Sequence, residues 1–283
     1  MEGAAVARSP GHISGYFRRV GGGTAGETGS LGAGIVIEEG VIARAVPAAA
    51  PAVKVVSPYP LPEGGRIPLI ETAMERLGVS AEVTTGSILP AGAGFGLSAA
   101  ALLASISALS ALFRLGLSDR EIASLAHEIE VIHRTGLGDV AACQGGGVEC
   151  RRGPGISAEI LRIPAHGTVI QAITFGPIPT PVILGDLARM ERIDRAFPSR
   201  CPRDIGDFFS LSRSFAGGSG LVTPRVAEVL SACDRAGIPA SMTMLGEGVF
   251  ALGEEATPVL APFGTVHRLR VADWGFTPGA VIR

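Results

Sequence analysis

Lysine is nearly absent from this 283-residue chain, because Lys54 is the only lysine among 24 basic residues. No glycine-rich loop precedes Lys54, so a P-loop nucleotide site of the type G-x-x-x-x-G-K-[ST] is excluded. The chain also has no spare lysine for a Schiff base. The formal net charge is −2 and no basic cluster occurs, which argues against binding of nucleic acid and against a polybasic membrane surface.

Cysteine is scarce, and its spacing matches no common motif. The four cysteines are Cys143, Cys150, Cys201 and Cys233, with no C-x-x-C pair among them. This spacing predicts neither a zinc site nor a disulfide framework. We expect buried free thiols in a reducing cytosol. An acidic residue at position 2 and the lack of an apolar segment after it predict no signal peptide and a cytoplasmic protein.

Charge is missing over one long stretch, since no charged residue occurs in 83–113. The mean hydropathy of the chain, +0.39, is correspondingly high. A membrane-spanning helix needs about 20 continuous apolar residues, whereas Pro90 and the glycines that follow it interrupt this run. The uninterrupted remainder, 97–113, is short and contains four serines. We predict a helix buried on most of its circumference in a soluble protein, without a membrane partner.

Hydrophobic patterning predicts an α+β protein with two lobes. The first half should hold short strands at 13–20, 33–37, 41–46, 52–57 and 81–87. It should also hold helices at 68–77, with Gly78 after its end, and at 119–133, capped by Ser118 and Glu121. The second half should hold strands at 169–175, 239–244, 248–252 and 265–272, with helices at 186–196, 204–215, 224–236 and 255–261. Strand runs followed by helix runs, twice over, favour two lobes.

The strongest chemical signal is the glycine loop, Pro90-Ala-Gly-Ala-Gly-Phe-Gly-Leu-Ser-Ala-Ala100, between a predicted strand and a predicted helix. Alternating glycines let the backbone approach a ligand closely and turn its N–H groups inward. The helix N-terminus that follows favours an anion. The loop therefore predicts a phosphate cradle. A dinucleotide fingerprint would need glycine where Leu97 stands, and the alternative to a ligand site is a tight turn that uses glycine for packing.

Three stretches of the chain together resemble the motifs of the GHMP kinase superfamily. The glycine loop resembles the motif P-x-x-x-G-L-G-S-S-A-A, with Phe95 in place of leucine and Leu97 in place of the first serine. The stretch 9–17, Ser-Pro-Gly-His-Ile-Ser-Gly-Tyr-Phe, resembles the N-terminal substrate motif, and 242–252 resembles the C-terminal glycine motif. The resemblance implies a two-lobed GHMP kinase fold. A ribosomal protein S5 domain 2-like ATP-binding lobe would span 1–163, and a ferredoxin-like lobe 164–283.

The resemblance also implies that ATP and Mg²⁺ are the cofactors. The triphosphate would contact the loop residues Pro90, Gly92, Ala93, Gly94, Phe95, Gly96, Leu97, Ser98 and Ala99. Ser98 and a glutamate of the helix at 119–133 would hold Mg²⁺. Glu128 and Glu130 flank the apolar face of this helix at similar angles, so periodicity does not choose between them. The resemblance favours Glu130.

Asp139 is the candidate catalytic residue. Of the eight aspartates, it alone lies in a glycine-flanked turn, between Gly136 and Gly138 on one side and a small-residue stretch on the other. A carboxylate there can accept a proton from an alcohol, and Asp139 matches the catalytic aspartate that the resemblance implies. The alternative is an aspartate that caps the short segment 140–143.

Within the superfamily, the stretches 10–17, 29–36 and 135–140 most resemble the archaeal pantoate kinases. This implies phosphorylation of the 4-hydroxyl of (R)-pantoate, a small hydroxy acid, on the route to coenzyme A. His12, Ser14, Gly15 and Arg134 are the candidate substrate-binding residues. A guanidinium suits the substrate carboxylate, and Arg18, Arg19 and Arg151 also lie close to the motifs in sequence.

Two alternatives stay open from the sequence. One is another kinase of the superfamily that acts on homoserine, shikimate or a mevalonate-type alcohol. The other is a non-catalytic nucleotide-binding protein of the same fold, which the loss of the first serine at Leu97 would allow. A homodimer is a further expectation for a two-lobed kinase, although no sequence feature fixes its interface.

Overall fold

The computed structural model describes residues 3–60, 67–178 and 187–282. The strands are β1 (Ala4–Val20), β2 (Gly29–Pro47), β3 (Ala52–Val56), β4 (Ala81–Gly86), β5 (Val148–Arg151), β6 (Ile160–Ile163), β7 (Val169–Pro177), β8 (Ala240–Met242), β9 (Gly246–Leu252), β10 (His267–Arg270) and β11 (Ala280–Ile282). The α-helices are α1 (Pro68–Leu77), α2 (Leu97–Phe113), α3 (Asp119–His133), α4 (Asp139–Ala142), α5 (Leu187–Ala196), α6 (Ile205–Ser219), α7 (Pro224–Arg235) and α8 (Thr257–Leu260).

Two sheets, each backed by helices, form the two lobes. Within the described residues, the first sheet has the order β11-β1-β2-β4-β3, with β5 on β2 and β6 on β5. Its pairs are antiparallel except for the parallel pair of β3 and β4. The second sheet has the order β10-β7-β9-β8. The predicted two-lobed α+β architecture is therefore confirmed.

The first two strands are longer than the sequence predicts. The separate strands expected at 33–37 and 41–46 are one strand, β2, which pairs with β1 along almost its whole length. The pairing passes through a β-bulge, because the register shifts between Ser9 and Gly11. Gly40 fits against this bulge, since a β-carbon on it would lie 2.0 Å from the Ser9 carbonyl oxygen. The glycine that looked like a strand break is thus a close-approach site within a continuous strand.

The first three helices, α1, α2 and α3, follow the predicted boundaries. α1 is followed by Gly78, whose backbone has the left-handed conformation. α3 begins with the predicted capping box of Ser118 and Glu121. α2 is buried on nearly every side and packs on β1, β2 and α3. No helix among the described residues is long and apolar enough to cross a membrane. The predicted helix at 186–196 is α5, and residue 186 lies outside the described residues.

The two lobes share one hydrophobic core. It joins Ile13 and Tyr16 of β1 to Phe208 of α6 and Phe250 of β9. The last strand, β11, pairs with β1 and so belongs to the first sheet. The division of the chain at 163/164 stays a prediction, and it falls between β6 and β7.

The expectation of four free thiols is wrong for one pair. Cys150 of β5 and Cys201, which precedes α6, form a disulfide with their α-carbons 5.8 Å apart. Cys143 and Cys233 are buried and free, as expected. The bonded cysteines are 51 positions apart in the sequence, and no local signal indicates that they pair. The two thiols become neighbours only because the second lobe packs against β5.

Candidate active site

The glycine loop connects β4 to the N-terminus of α2, where the sequence places it. Gly92, Gly94 and Gly96 all have positive φ, at 75°, 85° and 64°. A β-carbon on Gly94 would lie 3.0 Å from Thr243 Cβ, so side chains are excluded from this turn. α2 begins without a side-chain cap, which leaves its first N–H groups free to bind an anion.

Two cavities border this loop, and a third adjoins the second of them. The largest, about 300 Å³, lies between the β3–β4 ends and α2, and most of its lining is apolar. The second, about 90 Å³, is lined by Gly92, Gly94, Phe95, Gly96, Leu97 and Ser98 together with Ser14, Thr135, Asp139, Met244 and Leu245. The third, about 30 Å³, shares Ser14, Asp139, Met244 and Leu245 with the second and is also lined by Ser30. Gly92 and Ser98 line both larger cavities, whereas Pro90, Ala93 and Ala99 line none of the three.

Asp139 is the first residue of α4 and points into the second cavity. The N-cap residue of this helix is Gly138, so Asp139 does not occupy the capping position that the alternative gave it. Its Oδ1 instead accepts a hydrogen bond from His12 Nδ1 at 2.6 Å. Burial raises the pKa of the Asp139 carboxyl, but this bond and the positive charges of His12 and Arg151 outweigh burial and hold the pKa below its usual range.

His12 lies in the middle of a buried row of charges. Its Nε2 donates to Glu149 Oε1 at 3.0 Å, and Glu149 in turn pairs with Arg151. Burial alone would lower the pKa of the His12 ring, but the hydrogen bonds and charges of Asp139 and Glu149 raise it. The His12 side chain is fully buried, so both of its ring nitrogens contact protein groups. The predicted substrate contact of His12 would therefore act through Asp139.

Glu130 and Glu128 differ sharply in their surroundings. Glu128 is partly exposed and pairs with Arg76 at 3.0 Å. Glu130 is buried, and neither of its carboxylate oxygens has a hydrogen-bond partner. Burial, and then the negative charge of Asp139, raise the pKa of Glu130 well above its ordinary value, while the nearby Thr135 hydroxyl lowers it only slightly. Of these two glutamates, Glu130 is thus the one whose carboxylate has no hydrogen-bond partner and could bind a cation.

Apart from His12, the predicted substrate residues and the nearby Arg151 occupy different places. Ser14 lines both small cavities. Gly15 instead packs against the second lobe, because a β-carbon on it would lie 2.2 Å from Ser212 Oγ. Arg134 is exposed at the C-terminus of α3 in a left-handed conformation, and it lines none of the three cavities. Arg151 is buried beside Gly138 and Ser30, and its Nε has no hydrogen-bond partner.

The sequence missed Glu149 altogether, and for the C-terminal glycine motif it gave the stretch but not the residues that line the cavities. Glu149 gave no signal, because its strand follows the predicted site by ten residues and pairs with β2 only in the folded protein. The turn between β8 and β9 contributes Met244 and Leu245 to both small cavities. Gly246 of the C-terminal glycine motif fits this turn against the glycine loop, since a β-carbon on it would lie 2.2 Å from the Ala93 carbonyl oxygen.

Comparison with known proteins first defines the class. Residues 67–147 match the family described as GHMP kinases N terminal domain. A solved structure of a phosphotransferase related to the CoA biosynthesis pathway aligns with a TM-score of 0.79 and 25% identity, over 99% of each chain. The fold and the glycine loop are those of a GHMP kinase.

Sequence relatives then give the branch of that class. The pantoate kinase of Methanospirillum hungatei is 46% identical over 270 residues, which are 94% of this chain and 93% of the relative. The pantoate kinase of Thermococcus kodakarensis is 34% identical over 177 residues, which are 58% of this chain and 56% of the relative. The chain belongs to the pantoate kinase family.

Proposed function

We propose that the protein transfers the γ-phosphoryl group of ATP to the 4-hydroxyl of (R)-pantoate and releases ADP and 4-phosphopantoate, a step of coenzyme A biosynthesis. The observation that carries this proposal is the 46% identity to the Methanospirillum hungatei pantoate kinase over nearly the whole chain. The site supports it, because the glycine loop and Asp139 border the same cavity.

ATP would occupy the two larger cavities, with its base in the apolar one and its phosphates along the glycine loop. Lys54 pairs with Glu82 at the surface and does not line these cavities. Backbone N–H groups of the loop and of the first turn of α2 would therefore bind the phosphates. Ala93 and Ala99 would contact ATP through their backbone, whereas Pro90, which has no N–H group, would only shape the loop.

The residues present fit a magnesium ion. The buried Glu130 carboxylate has no partner, and oxygen ligands are those that Mg²⁺ prefers. Among the described residues, no group of three or more His, Cys, Asp and Glu side chains forms a metal site. Mg²⁺ commonly binds through one or two protein oxygens and the substrate phosphates, and Ser98 and Glu130 would supply these oxygens. The ion would neutralise charge on the phosphates.

Asp139 would take the proton from the 4-hydroxyl as its oxygen attacks the γ-phosphorus. The new bond joins O4 to the γ-phosphorus, the bond from this phosphorus to the β–γ bridging oxygen breaks, and ADP leaves. The lowered pKa of Asp139 keeps it ionised and able to accept this proton at neutral pH. Ser14 lines the same cavity as Asp139 and would contact the substrate.

A guanidinium would attract the substrate carboxylate. Arg134 is the arginine that the sequence favoured, and Arg151 is the one buried beside Gly138 and Ser30, two residues that line the smallest cavity. We propose Arg151 for this role, because its Nε lacks a partner and because a buried charge attracts an anion more strongly than an exposed one. Arg134→Ala should leave KM for pantoate nearly unchanged, whereas Arg151→Lys should raise it.

Steady-state ADP release with a panel of pantoate, homoserine, shikimate and mevalonate tests the function. We expect turnover with pantoate and little with the other alcohols. Turnover with another member of the panel would favour a different GHMP kinase, and ATP binding without any turnover would favour a non-catalytic protein. The cytoplasmic location and the homodimer stay proposals, which cell fractionation and light scattering would test.

A further inference from the structure

The His12 ring is held between two carboxylates. Nδ1 lies 2.6 Å from Asp139 Oδ1, and Nε2 lies 3.0 Å from Glu149 Oε1. Ionised carboxylates only accept hydrogen bonds, so a ring that bonds to one at each nitrogen must donate from both. A ring that donates from both nitrogens is the imidazolium cation.

The surrounding strands are built to hold this arrangement. Gly34 of β2 is the direct neighbour of Glu149 in the sheet, and a β-carbon on it would lie 2.0 Å from His12 Nε2. Only glycine at position 34 leaves room for the ring beside Glu149. The backbone N–H of His12 also donates to the Phe95 carbonyl oxygen at 3.0 Å. The same residue therefore contacts the glycine loop through its backbone and Asp139 through its ring.

We propose that Glu149 is a positioning residue, which holds the His12 ring in its doubly protonated form and turned so that Nδ1–H donates to Asp139. Asp139 is thereby kept ionised and fixed toward the acceptor hydroxyl. This inference rests on the proposed role of Asp139 as the proton acceptor. It adds a buried carboxylate that touches no substrate and acts through the histidine.

The charges around the ring support this role. Asp139 and Glu149 face it directly, Arg151 pairs with Glu149, Glu130 repels Asp139, and Arg162 is attracted to Glu149. Removing Glu149 would take away one of the two carboxylates that oppose burial, and so would shift the ring toward its neutral form. A neutral His12 would no longer offset the repulsion between Asp139 and Glu130, so the Asp139 carboxylate would hold its proton more tightly and would lose a fixed orientation.

The first test reads the protonation of His12 without any activity measurement. The protein would be labelled with ¹⁵N-histidine, and His12 would be assigned by the signal lost in His12→Gln. At about pH 8, well above the ordinary histidine pKa of about 6.5, both ring nitrogens of His12 should carry a proton. His127 and His267, whose pKa values burial lowers, should be neutral and serve as internal references. A neutral His12 ring in the wild-type protein would overturn the inference, even if no variant folds.

The second test is Glu149→Gln, which keeps the shape of the side chain and removes its charge. We expect the midpoint of the His12 titration to fall by about 1 unit or more. We expect kcat to fall by about tenfold or more with KM for ATP nearly unchanged, because a poorly held proton acceptor affects the chemical step and not nucleotide binding. Glu149→Asp should recover part of kcat. Glu159→Gln is the matched control, because Glu159 is exposed and pairs with Arg152, the residue that follows β5.

The two tests separate this inference from the proposed function. If the wild-type protein showed no turnover with pantoate, the proposed function would be refuted. The His12 titration would still report on the role of Glu149. Normal turnover in the wild-type protein, together with an unchanged His12 midpoint and an unchanged kcat in Glu149→Gln, would refute the positioning role alone.

Discussion

At the scale of single residues, the site depends on two carboxylates with opposite environments. Asp139 accepts a hydrogen bond from the His12 ring, and its pKa is held low although burial opposes this. Glu130 is buried without a partner, and its pKa is raised. These surroundings are what the proposed roles require, in which Asp139 accepts a proton from the substrate and Glu130 binds a cation. Pairs of acids whose surroundings separate their pKa values are typical of catalytic sites.

Asp139→Asn tests the first of these carboxylates. We expect kcat for pantoate to fall by about a hundredfold or more, because an amide cannot accept the proton of the hydroxyl. KM for ATP should change little, since Asp139 lies at the acceptor side of the loop. Asp234→Asn, at an exposed ion pair with Arg213, is the control and should retain full activity. A near-normal kcat for Asp139→Asn would show that Asp139 is not the base.

Glu130→Gln tests the second carboxylate through stability as well as activity. A carboxyl whose pKa is raised on folding makes the protein less stable as pH rises through that raised pKa, because the folded state then loses a proton that it binds more tightly than the unfolded state. We therefore expect the nucleotide-free variant to have a free energy of unfolding higher than the wild type by on the order of 1 kcal/mol at about pH 8, with no gain near pH 4. Urea unfolding at both pH values measures this.

The same variant should lose the extra stabilisation that Mg²⁺ adds in the presence of ATP, and its kcat should fall. Glu128→Gln is the matched control two residues away on α3, because Glu128 is partly exposed and paired with Arg76. Equal behaviour of the two variants would mean that Glu130 does not meet the metal ion.

At the scale of elements, the glycine loop and the β8–β9 turn determine how closely a phosphate approaches α2. Gly94→Ala introduces a β-carbon 3.0 Å from Thr243 Cβ and 3.1 Å from the Met244 carbonyl oxygen, at a φ of 85°. We expect the turn to shift and Kd for ATP to rise by about tenfold or more. Calorimetric titration with an ATP analogue measures this.

Gly116→Ala separates a local shift from general backbone strain. Gly116 has a φ of 69°, and a β-carbon on it would meet nothing within 4 Å. The substitution should cost about 1 kcal/mol of stability and leave Kd for ATP unchanged. If Gly116→Ala weakened ATP binding as much as Gly94→Ala, the glycine loop would have no special role.

The sequence predicted the elements whose signals are local. α1, α2 and α3 keep their predicted boundaries because Pro68, Gly78 and Ser118 mark helix ends by their own backbone chemistry. The glycine loop was found for the same reason. Glu149 was missed because it meets His12 only when β5 pairs with β2, and that pairing joins residues more than a hundred positions apart.

At the scale of the whole molecule, the lobes are joined by a shared core and by one covalent bond. The Cys150–Cys201 disulfide links β5, which carries Glu149 and Arg151, to the segment before α6. The sequence could not predict this pair, because it depends on how the second lobe packs on the first. The bond therefore holds β5 against the second lobe.

Thiol titration tests the disulfide directly. The protein unfolded without reductant should show two free thiols, those of Cys143 and Cys233, and reduction should expose all four cysteines. Cys201→Ser should lower the free energy of unfolding by about 2 to 4 kcal/mol, since the bond closes a loop that the unfolded chain otherwise leaves open. Wild-type protein in excess reductant is the control and should lose a similar amount. Four free thiols in the unreduced protein would contradict the bond.

The central conclusion is that this site phosphorylates the primary hydroxyl of pantoate. The most direct measurement is ³¹P NMR of the product formed from ATP and (R)-pantoate, with Asp139→Asn beside the wild type. We predict a phosphomonoester signal split into a triplet by the two protons on carbon 4, with very little product from the variant. A doublet, which reports a phosphate on the 2-hydroxyl, or no phosphoester at all would contradict the conclusion.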